Sequence, residues 1–147
     1  MTVELPEEFT NVEYYGRGAQ ENLPDMTAQS PIGIYKAKVH DMHEPYIYPQ
    51  ENGEHFRVKW LRVSDDNGHA LRMYAEERFA FNIHDYTPKN LYEAKHQEDI
   101  VTVPSSVLTI DGYVRGSGSG SCGPMTLPEY VIDEDSMLIY EFTVVAE

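Results

Sequence analysis

Cys122 is the one cysteine of this 147-residue chain, and it stands inside the run Gly112-Tyr113-Val114-Arg115-Gly116-Ser117-Gly118-Ser119-Gly120-Ser121-Cys122-Gly123-Pro124-Met125. A nucleophilic thiol needs a nearby histidine and a lowered pKa. No histidine lies close to Cys122 in the chain, so thiol-protease chemistry is rejected. Glycine costs backbone entropy wherever the chain is ordered. Its density here points to an ordered loop that delivers Cys122 to a partner surface or pocket, with a plain flexible loop as the alternative. Acid–base chemistry on a sugar would need two carboxyls about 5 Å apart, one of them held protonated. With Asp and Glu totalling 25, suggestive pairs are unavoidable, and spacing alone selects none. Asp133, Glu134 and Asp135 read as solvated turn residues. His40, Asp41, His43 and Glu44 have ligand-type side chains. In an extended chain, however, His40 and His43 face opposite ways, which argues against a shared metal ion.

The composition bounds what these residues serve. At 147 residues with 41% hydrophobic and 12% aromatic content, the chain suits one globular domain with a substantial core. A net charge of −14 argues against nucleic acid or an anionic membrane face as partner. A single cysteine makes no internal disulfide, and no run of about 20 apolar residues is present to span a bilayer.

The elements that must position the candidate residues are mostly strands. Phe56, Val58 and Trp60 alternate with His55, Arg57 and Lys59, and Leu71, Met73 and Ala75 alternate after Asp66-Asn67-Gly68, a hairpin-turn signal. Phe79, Phe81 and Ile83 predict a third strand, and Leu138, Tyr140, Phe142 and Val144 a last one. Shorter candidates are Val12 to Tyr15, Ile32 to Val39 and Val107 to Ile110, the last ending at an Asp111-Gly112 turn. One helix is predicted, with Thr87 as N-cap, Pro88 at its first position and Lys89 to His96 following. Gly16 to Pro31 reads as an irregular loop. Pro45 and Pro49 confine Tyr46-Ile47-Tyr48 to an edge strand or extended segment. The expected fold is all-β, an antiparallel β-sandwich with one short helix. Among the 11 tyrosines, Tyr14, Tyr15, Tyr46 and Tyr48 suit an aromatic face for stacking on a sugar, or equally half-buried positions in any sandwich.

These residues also carry a family pattern. Val12-Glu13-Tyr14-Tyr15-Gly16-Arg17-Gly18-Ala19-Gln20-Glu21-Asn22-Leu23-Pro24-Asp25 resembles the G-x-G-P-x-E-N-Y-x-D-R signature of the large β-galactosidases of glycoside hydrolase family two. Pro45 to Gly53 resembles that family's P-Y-x-x-P-Q-E-N-G. Phe81 to Tyr86, Leu91 to His96 and the Gly112 to Pro124 run follow in the family's order, so the resemblance spans nearly the whole chain. It departs at Ala19, Leu23 and Met26, where the signature has proline, tyrosine and arginine.

The resemblance implies that residues 1–147 are the later part of the C-terminal sandwich domain, a region encoded in some bacteria as a separate small subunit. The catalytic glutamates would lie on a barrel that this chain lacks, so no catalytic residue is expected here. The partner would be that barrel portion, or a large subunit, acting on β-galactosides such as lactose. A homo-oligomer is compatible with this. In the family the Gly-rich loop reaches the active site with a sugar-stacking tryptophan. Cys122 resembles that position in its C-G-P-M form, so Ser121, Cys122 and Gly123 are the expected substrate-binding residues. Glu21, Asn22 and Asp25 are expected to organise their loop, with sugar contact as the other role for Glu21 and Asn22. No cofactor or metal is expected in this chain. The Mg and Na ions of the complete enzyme would belong to other domains, and its location would be cytoplasmic. A free-standing carbohydrate-binding module using Tyr46 and Tyr48, or a non-catalytic assembly domain, are the alternative functions.

Overall fold

Val58, Leu61, Val63, Met73, Phe79, Phe81 and Ile83 are all but fully buried, and they come from two strands joined by one tight turn. In the computed structural model, which describes residues 1–118 and 123–147, these strands are β4 (His55–Ser64) and β5 (Ala70–His84). Their turn is not a two-residue Asn-Gly type. Gly68 alone takes a positive φ, and the Asp65 carboxylate holds the loop by accepting from the backbone N–H groups of Asn67 and His69, each at 2.9 Å.

Around this hairpin the other strands, β1 (Thr2–Pro6), β2 (Asn11–Arg17), β3 (Ile32–Lys38), β6 (Ser105–Asp111) and β7 (Thr143–Ala146), complete a seven-stranded antiparallel sheet. Its order is β1-β6-β5-β4-β2-β3, with β7 also on β5. The sheet is sandwich-like and is not closed into a barrel, since β1 and β3 remain its edges. One core cluster runs through it, and Tyr35, Tyr140 and Phe142 pack against it from outside the buried set. Fully burying each Val, Leu, Ile or Phe side chain is worth about 1.5–3 kcal/mol, so this cluster outweighs any single polar contact described below.

The sequence pattern predicts the phase of β4 only in part. Val58 is buried, but Phe56 and Trp60 are half-exposed while His55, Leu61 and Val63 face inward. The cause is local: Arg57 has a φ of +63°, and the ladder with β5 shifts register between His55 and Val58 and again before Trp60. Each extra residue in a bulge turns the side-chain alternation to the other face. The two predicted strands Leu71–Ala75 and Phe79–Ile83 are one continuous β5. Its first half pairs with β7, its second half with β6, and the polar run Glu76-Glu77-Arg78 crosses the exposed middle. The last strand forms only at Thr143–Ala146; Tyr140 and Phe142 reach the core from an extended segment without ladder pairing. The sequence pattern does not mark β1, which alternates over only a few residues and ends at Pro6, compatible with an edge strand. The helix α1 (Pro88–Glu93) is shorter than predicted, with Thr87 Oγ1 accepting from the Asn90 N–H at 3.1 Å and Leu91 buried.

Candidate functional site

The segment that follows β2 works through its side chains. Asn22 is fully buried. Its Oδ1 accepts from the Phe56 N–H at 3.0 Å, and its Nδ2 donates to the carbonyls of Arg17 and Gln20 at 3.3 and 3.1 Å. Its own N–H donates to the Glu54 carbonyl at 2.7 Å. An amide with that set of donors and acceptors welds the loop to the start of β4. Glu21 lies beside it, accepting from the Gly53 N–H at 2.8 Å through Oε2 and from the Tyr46 hydroxyl through Oε1. That carboxylate pushes the Tyr46 phenol up to about 12.

Asp25 reaches the Gly-rich run. Its carboxylate accepts from the Ser117 N–H at 3.0 Å and the Gly118 N–H at 2.7 Å. The same stem is held from the other side: Gly116 N–H donates to the Tyr130 carbonyl at 2.7 Å, and Thr126 Oγ1 donates to the Gly116 carbonyl at 3.2 Å. Close approach dictates glycine at this point. A Cβ on Gly116 would stand 2.7 Å from Asp25 Cγ, and Gly118 has a φ of +63° with Thr126 N only 2.6 Å from where a Cβ would lie. Gly123 is exposed, and Ser121 and Cys122 lie outside the described residues.

Between these two tethers lies a cavity of about 530 Å³ whose walls include Glu21, Tyr46, Glu51, Glu54, Asp111, Tyr113 and Arg115. Glu54 is 7% exposed; its Oε2 accepts from Asn82 Nδ2 at 2.8 Å, and its Oε1 has no hydrogen-bond partner. Burial pushes this carboxyl up to about 8, with the charges of Asp111, Glu51 and Glu21 adding to the rise and the Asn82 bond opposing it. Glu54 is therefore neutral at pH 7. Asp111 is also raised, by burial, against the lowering effect of the N-terminal amine. Nothing in the sequence marks Glu54 or Asp111: one lies in a polar run, the other in an apparent turn. Asp111 instead ends β6, paired with Ala80.

The remaining candidates separate. His40 and His43 leave a 3-10 turn (Val39–Met42), not an extended strand, and diverge to Asp85 at 3.0 Å and to Tyr86 and Gln97 at 2.8 and 2.9 Å. Asp133 closes its turn by accepting from the Asp135 N–H at 3.1 Å. Among the described residues no group of three or more His, Cys, Asp or Glu side chains is arranged to hold a metal ion, and no helix is long and apolar enough to cross a membrane. The tyrosines do not share one face. Tyr14 is 1% exposed in the core, with its hydroxyl 3.1 Å from His55 Nδ1. Tyr48 lines a second cavity of about 720 Å³, with Asn52, Asn82, His84, Tyr86 and Tyr92, while Tyr46 lines the acidic one.

The fold and site define a β domain: an open antiparallel sheet that fixes the stem of a Gly-rich loop beside an acidic cavity. The sequence agrees with this. Residues 1–145 match the family described as the β-galactosidase small chain. The β-galactosidase of Actinobacillus pleuropneumoniae is 36% identical over 128 residues, covering 87% of this chain and 12% of that protein. That of Oenococcus oeni is 30% identical over 136 residues, covering 92% and 13%. That of Lactococcus lactis is 32% identical over 133 residues, covering 90% and 13%. This chain belongs to the β-galactosidase small-chain family. It spans 12–13% of the length of these relatives.

Proposed function

We propose that this chain is the C-terminal sandwich portion of a β-galactosidase, as a domain or as a small subunit. It packs against a catalytic barrel portion and closes one side of that enzyme's active site with the Gly-rich loop. The assembled enzyme would remove terminal, non-reducing β-D-galactose from β-galactosides such as lactose, with retention and through a covalent galactosyl intermediate. The two carboxyls that perform this chemistry, and any Mg or Na ions, would reside on the other portion, and the enzyme would be cytoplasmic. In this reading Ser121, Cys122 and Gly123 line the aglycone side of the pocket, and Cys122 is a small wall where an indole would be a stacking platform. Glu21, Asn22 and Asp25 hold the loop in place and touch no sugar.

The observation that carries the reading is the double tether of the Gly-rich stem, Asp25 on one side and Tyr130 with Thr126 on the other. A loop meant only to link would not need side-chain acceptors on its backbone N–H groups. The test is a chimera in which residues 1–147 replace the matching segment of the Actinobacillus pleuropneumoniae enzyme. The chimera should hydrolyse nitrophenyl β-galactoside, the truncated enzyme should not, and Cys122→Trp in the chimera should change the KM for substrates with aromatic aglycones. The reading is overturned if the isolated chain hydrolyses the substrate and loses that activity on substitution of one of its own carboxylates.

A further inference from the structure

The acidic cavity has a use that loop positioning does not absorb. Glu21 spends both oxygens on Gly53 and Tyr46, and Asp25 spends both on the Gly-rich stem. Glu54 differs: it is 93% buried by its 7% exposure, lines the cavity, and has one oxygen without a partner. An orphaned buried polar atom is costly, so a group that completes it is favoured. Glu51 and Asp111 stand on the same wall, and among the described residues Arg115 is the one cationic side chain along it. The field inside is therefore negative, which selects a cation.

The form of the cavity selects among cations. Its carboxylates do not converge: no set of three among the described residues suits a metal ion. They are spread around a space of about 530 Å³ whose wall also carries Leu23, Met26, Tyr46, Tyr113 and Ile132. A guanidinium matches this better than an ammonium. It is planar, more weakly hydrated, presents several N–H donors in a fixed fork, and favours aromatic faces. We propose that this cavity is the socket for an arginine side chain presented by the rest of a β-galactosidase, with Glu54 Oε1 as its principal acceptor. The inference rests on the reading above that this chain packs against a larger β-galactosidase portion. The neutral Glu54 carboxyl then gives its proton to solvent as the guanidinium enters, and a buried ion pair replaces an orphaned acid. Docking is thereby coupled to the seating of the Gly-rich stem, whose Gly116 and Ser117 form part of the same wall.

The test is an amide NMR titration of the isotope-labelled full chain with N-acetyl-L-arginine amide, and in parallel with the neutral isostere N-acetyl-L-citrulline amide. Arginine amide should give saturable shifts at Gly53, Asp111, Gly116 and Ser117, and the citrulline compound should bind at least tenfold more weakly. Glu54→Gln should weaken arginine binding at least tenfold, while Glu76→Gln, on the exposed middle of β5, should not. Calorimetry of the wild-type chain in buffers of different ionisation enthalpy should show a proton released on binding near pH 7. Equal binding of the two compounds, or arginine shifts that stay linear or fall elsewhere, overturns the proposal without any variant. Unchanged binding by Glu54→Gln overturns it as well. An inactive chimera with a positive titration would leave the socket and remove β-galactosidase as the source of the arginine. An active chimera with a negative titration would do the reverse.

Discussion

Replacing Glu54 by glutamine should remove most of the loss of stability that this chain suffers at alkaline pH. Glu54 stands at about 8 in the folded chain against an ordinary 4.5. The folded form thus keeps a proton that the unfolded form has already given up. A raised carboxyl favours folding below its unfolded pKa, and that contribution is lost as the pH rises through the folded value. Between about pH 5 and pH 8 the wild type should lose about 3–4 kcal/mol relative to Glu54→Gln. Glutamine retains an oxygen to accept from Asn82 Nδ2 and closely matches the shape, so packing is not the variable. The buried histidines titrate in the same interval, but they are common to both proteins and cancel in the difference. The assay is urea unfolding at a series of pH values, followed by the fluorescence of Trp60, the single tryptophan. Stability profiles that run parallel for the two proteins would refute the burial argument, and with it the claim that Glu54 is neutral at pH 7.

On the acid side, burial holds His55 and His84 down at about 4. A lowered histidine stabilises above its unfolded pKa of 6.5 and loses that contribution as the pH falls toward 4, so each should cost about 2 kcal/mol between about pH 7 and pH 5. His84→Asn should flatten that limb in the same urea series; an unchanged slope would contradict it. Asn22→Ala removes a fully buried amide and orphans the Phe56 N–H, and should cost about 2–4 kcal/mol in the urea midpoint. A loss below about 0.5 kcal/mol would mean that the loop is not welded to β4. Asp25→Ala should leave global stability within about 1 kcal/mol, because its acceptors sit at an exposed stem. It should nevertheless speed hydrogen exchange at Ser117 and Gly118 at least tenfold, and retained protection there would show that the tether is dispensable.

Much of this architecture was legible because local chemistry left little choice. Thr87-Pro88 starts a helix wherever it is packed, since the hydroxyl caps and the ring tolerates the first turn. Gly68 supplies the positive φ its turn requires. Two features escaped for a shared reason. The phase of β4 depends on the bulge at Arg57, which exists only because β5 lies alongside and takes up the slipped register. The continuity of β5 likewise depends on partners that flank Glu76-Glu77-Arg78: β7 at Leu71–Tyr74 and β6 at Ala80–His84, brought from distant parts of the chain. Charged residues in mid-strand read as a break until the ladders on either side of them, at Leu71–Tyr74 and at Phe79–His84, hold the strand extended across the gap.

The sequence by itself determined an antiparallel β chain with one capped helix, an acidic exterior, and the ordered motifs that mark β-galactosidase kinship, because these rest on composition, alternation and turn chemistry within a few residues. Tertiary structure alone decided that Asp25 grips Ser117 and Gly118, 92 and 93 positions away, and that Glu54 is buried with an oxygen unpaired. A carboxylate reads the same in sequence whether it is solvated, capping a loop or stranded. Its pKa and its partners are set by what the fold brings against it, and by the water the fold excludes.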